Sequence, residues 1–310
     1  MYSFGVMFHH FHGGYHKPSQ GSINKNDFNK VIDYLQSKYK IINAHLYLEK
    51  IKNKSLKPYE ICLTFDDALR SQHDIAIPIL RKLNISAFFF IYSSAFSKNP
   101  SKLEIYRYFR TNHFPNIDEF YNQFFNILKT NYKEKYKSEL EKYKSLNYLS
   151  NFPFYTDSDK WFRYLRDVVL KVDNYDQIML RMMKNENFDI SEASKKLWIN
   201  KSQLKKIHEE GHIIGLHSYS HPTMIDNLTY EQQQKEYKRN LSHLKQILGT
   251  ETIESMSHPC GRYNSDTLEI LKDMGIKVGF RSNMRIKEIR NTLEIPREDH
   301  TNIISKIKNK

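Results

Sequence analysis

An α/β fold built on a parallel sheet or barrel is predicted for this chain of 310 residues. Three observations predict it. Amphipathic helical stretches alternate with short apolar strands, an order that implies parallel strands and right-handed crossovers. Glycine or asparagine stands just beyond several helices, where a left-handed residue closes the last turn. Acids and histidines gather at the carboxyl ends of the strands, where folds of this class place their chemistry.

Taken in order, the opening Met1-Tyr2-Ser3-Phe4-Gly5-Val6-Met7-Phe8-His9-His10 reads as a first strand. It lacks the basic start and long apolar run of a secretory leader. From Asp27 to Tyr39, Phe28, Val31, Ile32 and Leu35 share one helical face, and Ile41-Ile42 follows as a strand. Glu60 to Phe65 is an apolar strand. Three helix–turn–strand units come next: Asp74 to Leu83, Asn84, then Ile85 to Ile91; Ser202 to Glu210, Gly211, then His212 to Leu216; and Ser265 to Met274, Gly275, then Ile276 to Phe280. Thr229-Tyr230-Glu231-Gln232 has the form of a capping box opening a helix to about Leu248, before a strand near Ile253. Between about 97 and 200 the rhythm breaks. Tyr106, Tyr108, Phe109, Phe120, Tyr121, Phe124 and Phe125 recur at helical spacing with little strand character, which marks a large helical insertion in one domain spanning 1–310. Those aromatics either pack the insertion onto the rest or stack on a sugar as a lid.

Hydrophobic residues make up 39% and charged residues 27%, so the chain is globular rather than disordered. No apolar run approaches the roughly 20 residues of a spanning helix. Only Cys62 and Cys260 are present, which excludes a disulfide framework and leads us to expect a cytoplasmic protein. The net charge of +13 is spread along helical stretches such as Lys129 to Lys144, interleaved with Glu134, Glu139 and Glu141. That is a solvated helix face rather than a phosphate track, and nucleic acid is not expected as a partner. An anionic substrate, such as a nucleotide- or lipid-phosphate-linked sugar, or a peripheral docking site on a membrane face would use the same charge.

Four segments carry candidate chemistry. The strand Glu60 to Phe65 ends in Asp66-Asp67. Adjacent carboxylates repel unless something positive holds them; they are either a solvated cap, or a pair in which one ligates a metal and the other faces its water. His217-Ser218-Tyr219-Ser220-His221 places two histidines four apart at the end of a strand. That spacing alone is weak, since chance gives about 0.6 such pairs in this composition, and His12/His16 and His208/His212 share it. Ser257-His258-Pro259-Cys260-Gly261 joins a strand to a helix and offers a main-chain N–H to an oxyanion, or is an ordinary turn. Leu293 to His300 is a last short strand ending in charge, where His300 is either a general acid or a surface histidine.

In this order the segments resemble the polysaccharide deacetylase family, the NodB-homology carbohydrate esterases. Its Thr-Phe-Asp-Asp motif stands intact at Thr64 to Asp67, and its His-Ser/Thr-x-x-His motif at His217 to His221. The resemblance covers roughly 1–96 and 201–305. It implies a distorted (β/α) barrel of about seven parallel strands, a divalent metal such as zinc, and hydrolysis of N-acetyl groups on amino sugars. It also implies that Asp66 is the base and that Asp67, His217 and His221 are metal ligands. The third motif, Arg-x-Pro-Tyr/Phe-Gly, keeps only Pro259 and Gly261. Ser257 replaces the arginine that steadies the base, with Arg297 or Arg281 as replacements, and Cys260 takes the position whose backbone N–H meets the oxyanion. The last motif, Leu-x-x-His, matches loosely through His300. The opening strand brings His9 or His10 toward the site, and Cys260, Arg297 and His10 make up the expected oxyanion and substrate-binding set. The expected activity is N-deacetylation of an amino sugar in a precursor of bacterial surface polysaccharide, lipopolysaccharide or capsule. A deformylase on the same scaffold, or a non-catalytic glycan-binding module, is the alternative.

Overall fold

Eight strands, each paired in parallel with its neighbours, organise the computed structural model, which describes residues 2–149 and 155–309. They are β1 (Gly5–Phe8), β2 (Lys40–Ile41), β3 (Glu60–Asp66), β4 (Phe88–Ile91), β5 (Ile213–Leu216), β6 (Ser255–Ser257), β7 (Val278–Phe280) and β8 (Arg297–Asp299). Their order is β7-β6-β5-β4-β3-β1-β8, with β2 beside the first half of β3. Ile295, just ahead of β8, bridges to Phe280, so the two ends of the sheet meet in a nearly closed, distorted (β/α) barrel. This is the expected fold class.

All seven residues of β3 are buried, as expected of a strand covered on both faces. Alternation sorts its side chains. Cys62 joins Phe88, Phe90, Val278 and Phe280 in one cluster. Phe88 and Phe280 lie 5.3 Å apart although β4 and β7 are not neighbours, so this row faces the barrel interior. Phe65 takes the other face, stacked on Phe89 at 4.7 Å and on Phe8 at 5.2 Å. Thr64 and Asp66 therefore continue the inward row, which is how β3 delivers Asp66 to the mouth of the barrel. In β5 the inward position is Gly215, where a Cβ would sit 2.6 Å from Ser255 Oγ and 2.7 Å from the Phe90 ring.

The helices of the barrel unit follow the predicted stops. Helix α1 (Lys25–Gln36) buries Phe28, Val31, Ile32 and Leu35; α2 (Ala44–Lys52) brings Tyr47 into the inward cluster; α3 (Ile77–Lys82) ends ahead of Asn84, whose φ is +53°. The chain continues through α4 (Lys102–Tyr108), α5 (Ile117–Asn131), α6 (Lys133–Lys144), α7 (Asp157–Tyr164), α8 (Lys171–Asn185) and α9 (Ile190–Leu197). It then gives α10 (Lys201–Glu209), α11 (Tyr230–Leu248), α12 (Ser265–Asp273) and α13 (His300–Lys308). Thr229 and Gln232 form the expected capping box of α11. Gly211 and Gly275 follow α10 and α12 with φ of +87° and +81°.

Two compact units emerge: Met1–His16, Gly21–Ser101 and Lys195–Lys310 in the first, Lys17–Gln20 and Lys102–Ser194 in the second. Within the second, Phe109, Phe120, Phe124 and Phe162 are fully buried, with Phe162 5.4 Å from Phe120 and 5.0 Å from Phe124. The aromatic stripe read from the sequence is thus the core of the helical unit itself. No described helix is long and apolar enough to cross a membrane. Cys62 and Cys260 are not joined in a disulfide.

Candidate active site

Three loops at the carboxyl ends of β3, β5 and β6 meet with the end of β1. Asp67 Oδ1 lies 3.5 Å from His217 Nε2 and 3.6 Å from His221 Nε2, and all three residues are buried. Each ring approaches with the same nitrogen. His217 Nδ1 sits 2.8 Å from the Ser257 carbonyl oxygen, to which it donates, so Nε2 presents its lone pair. Burial, together with His221, lowers the pKa of His217 to about 3 despite the nearby Asp66. It is neutral at physiological pH, the form a metal needs. Tetrahedral bonds of about 2.0–2.1 Å to zinc place donor atoms roughly 3.3 Å apart, so one carboxylate oxygen and two imidazole nitrogens at these separations fit a divalent ion.

Asp66 has a different environment. Arg297 Nη1 and Nη2 donate to its Oδ1 and Oδ2, each at 2.8 Å. The remaining donors of that guanidinium reach Thr64 Oγ1 at 3.2 Å, Ser257 Oγ at 2.9 Å and the Arg281 carbonyl oxygen at 2.6 Å. All five N–H groups of a 1% exposed arginine are thereby satisfied. Ser257 Oγ also lies 3.3 Å from Asp66 Oδ2, to which it donates. Burial alone would raise the Asp66 carboxyl, but Arg297, aided by His217 and His9, reverses this and holds it well below the usual carboxylate range. Of the two replacement arginines expected for the degraded third motif, Arg297 is the one that does the work. It steadies Asp66 and is too deeply buried to belong to the substrate-binding set.

At the end of β1, His9 Nε2 stands 3.7 Å from Asp66 Oδ2 and 3.9 Å from Asp67 Oδ2. His10, the residue expected here, stacks on His9 with ring centres 6.1 Å apart. Phe8 pairs with Phe65 and both face outward, so the alternation of β1 turns His9 inward beside Asp66. That signal was available in the sequence. His300 does not join the cluster. It is 3% exposed, with Nδ1 3.1 Å from the Met7 oxygen and Nε2 2.9 Å from the Gly21 oxygen, so both ends of its ring are engaged by main chain. Cys260 lies in the turn after β6 with an exposed side chain, and its φ of +52° is uncommon for a non-glycine residue.

That strain is not isolated. Asp67 (φ 79°), Ala68 (57°), Ser218 (58°), His221 (55°) and Cys260 (52°) all hold left-handed backbone in the loops that carry the site. Each such position costs of order 1 kcal/mol or more and persists only where the surroundings impose it.

A buried carboxylate kept ionised thus stands beside a carboxylate–diimidazole donor set at the carboxyl end of a parallel barrel. A family model described as polysaccharide deacetylase matches residues 172–279. Solved structures agree on the fold. IcaB from Ammonifex degensii gives a TM-score of 0.59 at 13% identity, covering 98% of this chain and 95% of that one. A de-N-acetylase from Aggregatibacter actinomycetemcomitans gives 0.57 at 14%, covering 99% and 98%. The Streptococcus pyogenes deacetylase PplD, in complex with acetate, gives 0.56 at 16%, covering 97% and 96%. No curated protein matches the sequence significantly. The family model covers about a third of the chain, and with the fold and the two intact motifs it makes the chain similar to the polysaccharide deacetylases.

Proposed function

We propose that the protein is a metal-dependent hydrolase that removes the N-acetyl group from an amino sugar, in a precursor of a bacterial surface polysaccharide. The observation that carries this reading is the convergence of Asp67 Oδ1 on two histidine Nε2 atoms at 3.5 and 3.6 Å, beside a second carboxylate held by Arg297. Asp67, His217 and His221 would hold the ion. Zinc bound there supplies Lewis acidity, polarising the amide carbonyl and easing ionisation of a water.

The chain's own groups do the rest. Asp66, kept anionic by Arg297, accepts the proton of the attacking water. The Cys260 main-chain N–H donates to the developing oxyanion. His9, with Nε2 3.7 Å from Asp66 Oδ2 and 27% exposed at its side chain, takes that proton from Asp66 and passes it to the departing amine, which leaves both groups as they began. Acetate and a free amino sugar leave. The glycan-binding alternative drew on the loss of the motif-three arginine, and Arg297 supplies that contact from β8 instead.

The test is acetate release from N-acetylglucosamine oligomers by zinc-loaded protein, read beside formate release from N-formyl analogues. Asp66→Asn should lower turnover about 10³-fold or more while one zinc still binds. Full turnover by Asp66→Asn, or no zinc bound by the wild type, overturns the reading.

A further inference from the structure

The loop that carries His217 and His221 is held in shape by a helix outside it. Ser218 and His221 have left-handed φ of 58° and 55°, a path that non-glycine residues keep only where their surroundings impose it. Within the loop, Ser218 Oγ accepts from His221 N at 3.1 Å. Helix α11 supplies further acceptors. Glu236 Oε2 accepts from Tyr219 N at 3.0 Å and from Ser220 N at 2.8 Å, and its Oε1 accepts from Ser220 Oγ at 2.9 Å. Successive N–H groups turned to one side form a concavity for an anion, and the Glu236 carboxylate fills it. One turn further along α11, Asn240 is fully buried. Its Oδ1 accepts from His217 N at 3.1 Å, while Nδ2 donates to the Ile91 oxygen at 3.0 Å and to Ser93 Oγ at 2.9 Å. The ends of β4 and β5 are thus joined through one side chain. Arg239, also on α11, lies over the Tyr219 ring at 3.7 Å.

A support must itself be fixed. Gln233, fully buried, lies three and seven positions before Glu236 and Asn240, on the same helical face. It accepts from Thr267 Oγ1 at 2.5 Å and donates to the Leu228 oxygen at 3.1 Å. Thr267 belongs to the first turn of α12, so α11 is pinned to its neighbour. We propose that Glu236 and Asn240 are positioning residues for the metal ligands, imposing the backbone that brings His217 and His221 to Asp67. They act through the loop and are not ligands themselves. Losing Glu236 removes three hydrogen bonds from the strained segment, and the two imidazoles then no longer stand together before the ion arrives. The proposal deepens the metal-dependent hydrolase reading and rests on it.

The experiment reads metal affinity rather than turnover. Zinc binding to the full chain is measured by competition with a chromophoric chelator, beside the circular dichroism and thermal midpoint of the metal-free protein. Glu236→Ala and Asn240→Ala should each weaken zinc about 10- to 100-fold, the range for losing a group that orients a ligand. Glu236→Gln, whose amide oxygen still accepts the two N–H groups, should recover most of that loss. Leu244→Ala truncates a fully buried core residue of the same helix. It should lower the midpoint and keep the wild-type affinity. If Glu236→Ala does not fold, Ser220→Ala, which removes one of the three bonds, takes its place with a smaller loss expected. Wild-type affinity in either folded alanine variant, or an equal loss in Leu244→Ala, overturns the positioning role alone. No zinc bound by the wild-type chain overturns the hydrolase reading with it.

Discussion

Two buried arginines, one in each unit, solve the same problem in opposite ways. Arg297 in the barrel has all five donors matched, two of them on Asp66. Arg110 in the helical unit, hardly more exposed, lies over the Phe162 face with its Nε unmatched. The first is a finished ion pair whose work is internal: it fixes the position and charge of a carboxylate that must not move. The second rests on an aromatic ring with one donor left over.

The largest effect is expected where the finished pair is broken. Arg297→Met leaves Asp66 buried and unpaired, which should cost about 3–5 kcal/mol in urea-induced unfolding and most of the turnover. A variant as stable as wild type would mean that Asp66 does not depend on Arg297. The double variant Arg297→Met/Asp66→Asn should recover part of the stability and none of the activity, because the unpaired charge goes and the base goes with it.

A smaller effect separates the two histidines. His9→Ala should lower kcat about 10²-fold with little change in unfolding midpoint, since His9 is partly exposed and faces the two carboxylates. His300→Gln should do the reverse, losing stability through its two main-chain contacts while the surviving folded enzyme keeps its kcat. Equal kcat losses in both variants would return His300 to the chemistry.

The smallest effect lies in a charge intermediate between the two arginines. Asp74 gathers Arg70, His73, His16 and Tyr15, and although burial works the other way, their hydrogen bonds lower its pKa from 3.8 to about 2. A depressed acid stabilises the fold above its unfolded pKa and loses that contribution as pH falls through the folded one. Wild-type stability should therefore drop between about pH 4 and pH 2, and Asp74→Asn should flatten the drop by roughly 1–2 kcal/mol. Parallel curves for the two proteins would show that the cluster does not couple to folding.

Read along the chain, alternation and helix stops were enough to place the strands and their order of appearance. Each of those signals is local: period two for a half-hidden strand, period 3.6 for a helix, a left-handed residue where a helix ends. The Asp66-Asp67 and His217–His221 pairs were legible for the same reason, since a strand end in a parallel fold is a known place for chemistry. His9 and His10 were both offered and His10 was placed in the binding set, although the register with Phe65 distinguishes them and the distinction needs only the pleat. Ser257 read as a loss, and only the fold reveals it as a partner of both Arg297 and Asp66.

By itself, then, the sequence determined an α/β fold, the family motifs and the residues that end each strand, because these follow from contacts between near neighbours in the chain. Only the tertiary structure decided which arginine holds Asp66 and that His300 is tied to main chain. Those facts depend on groups brought together from as far apart as 293 positions, where charge pairing and burial act on distance in space and leave no period in the sequence.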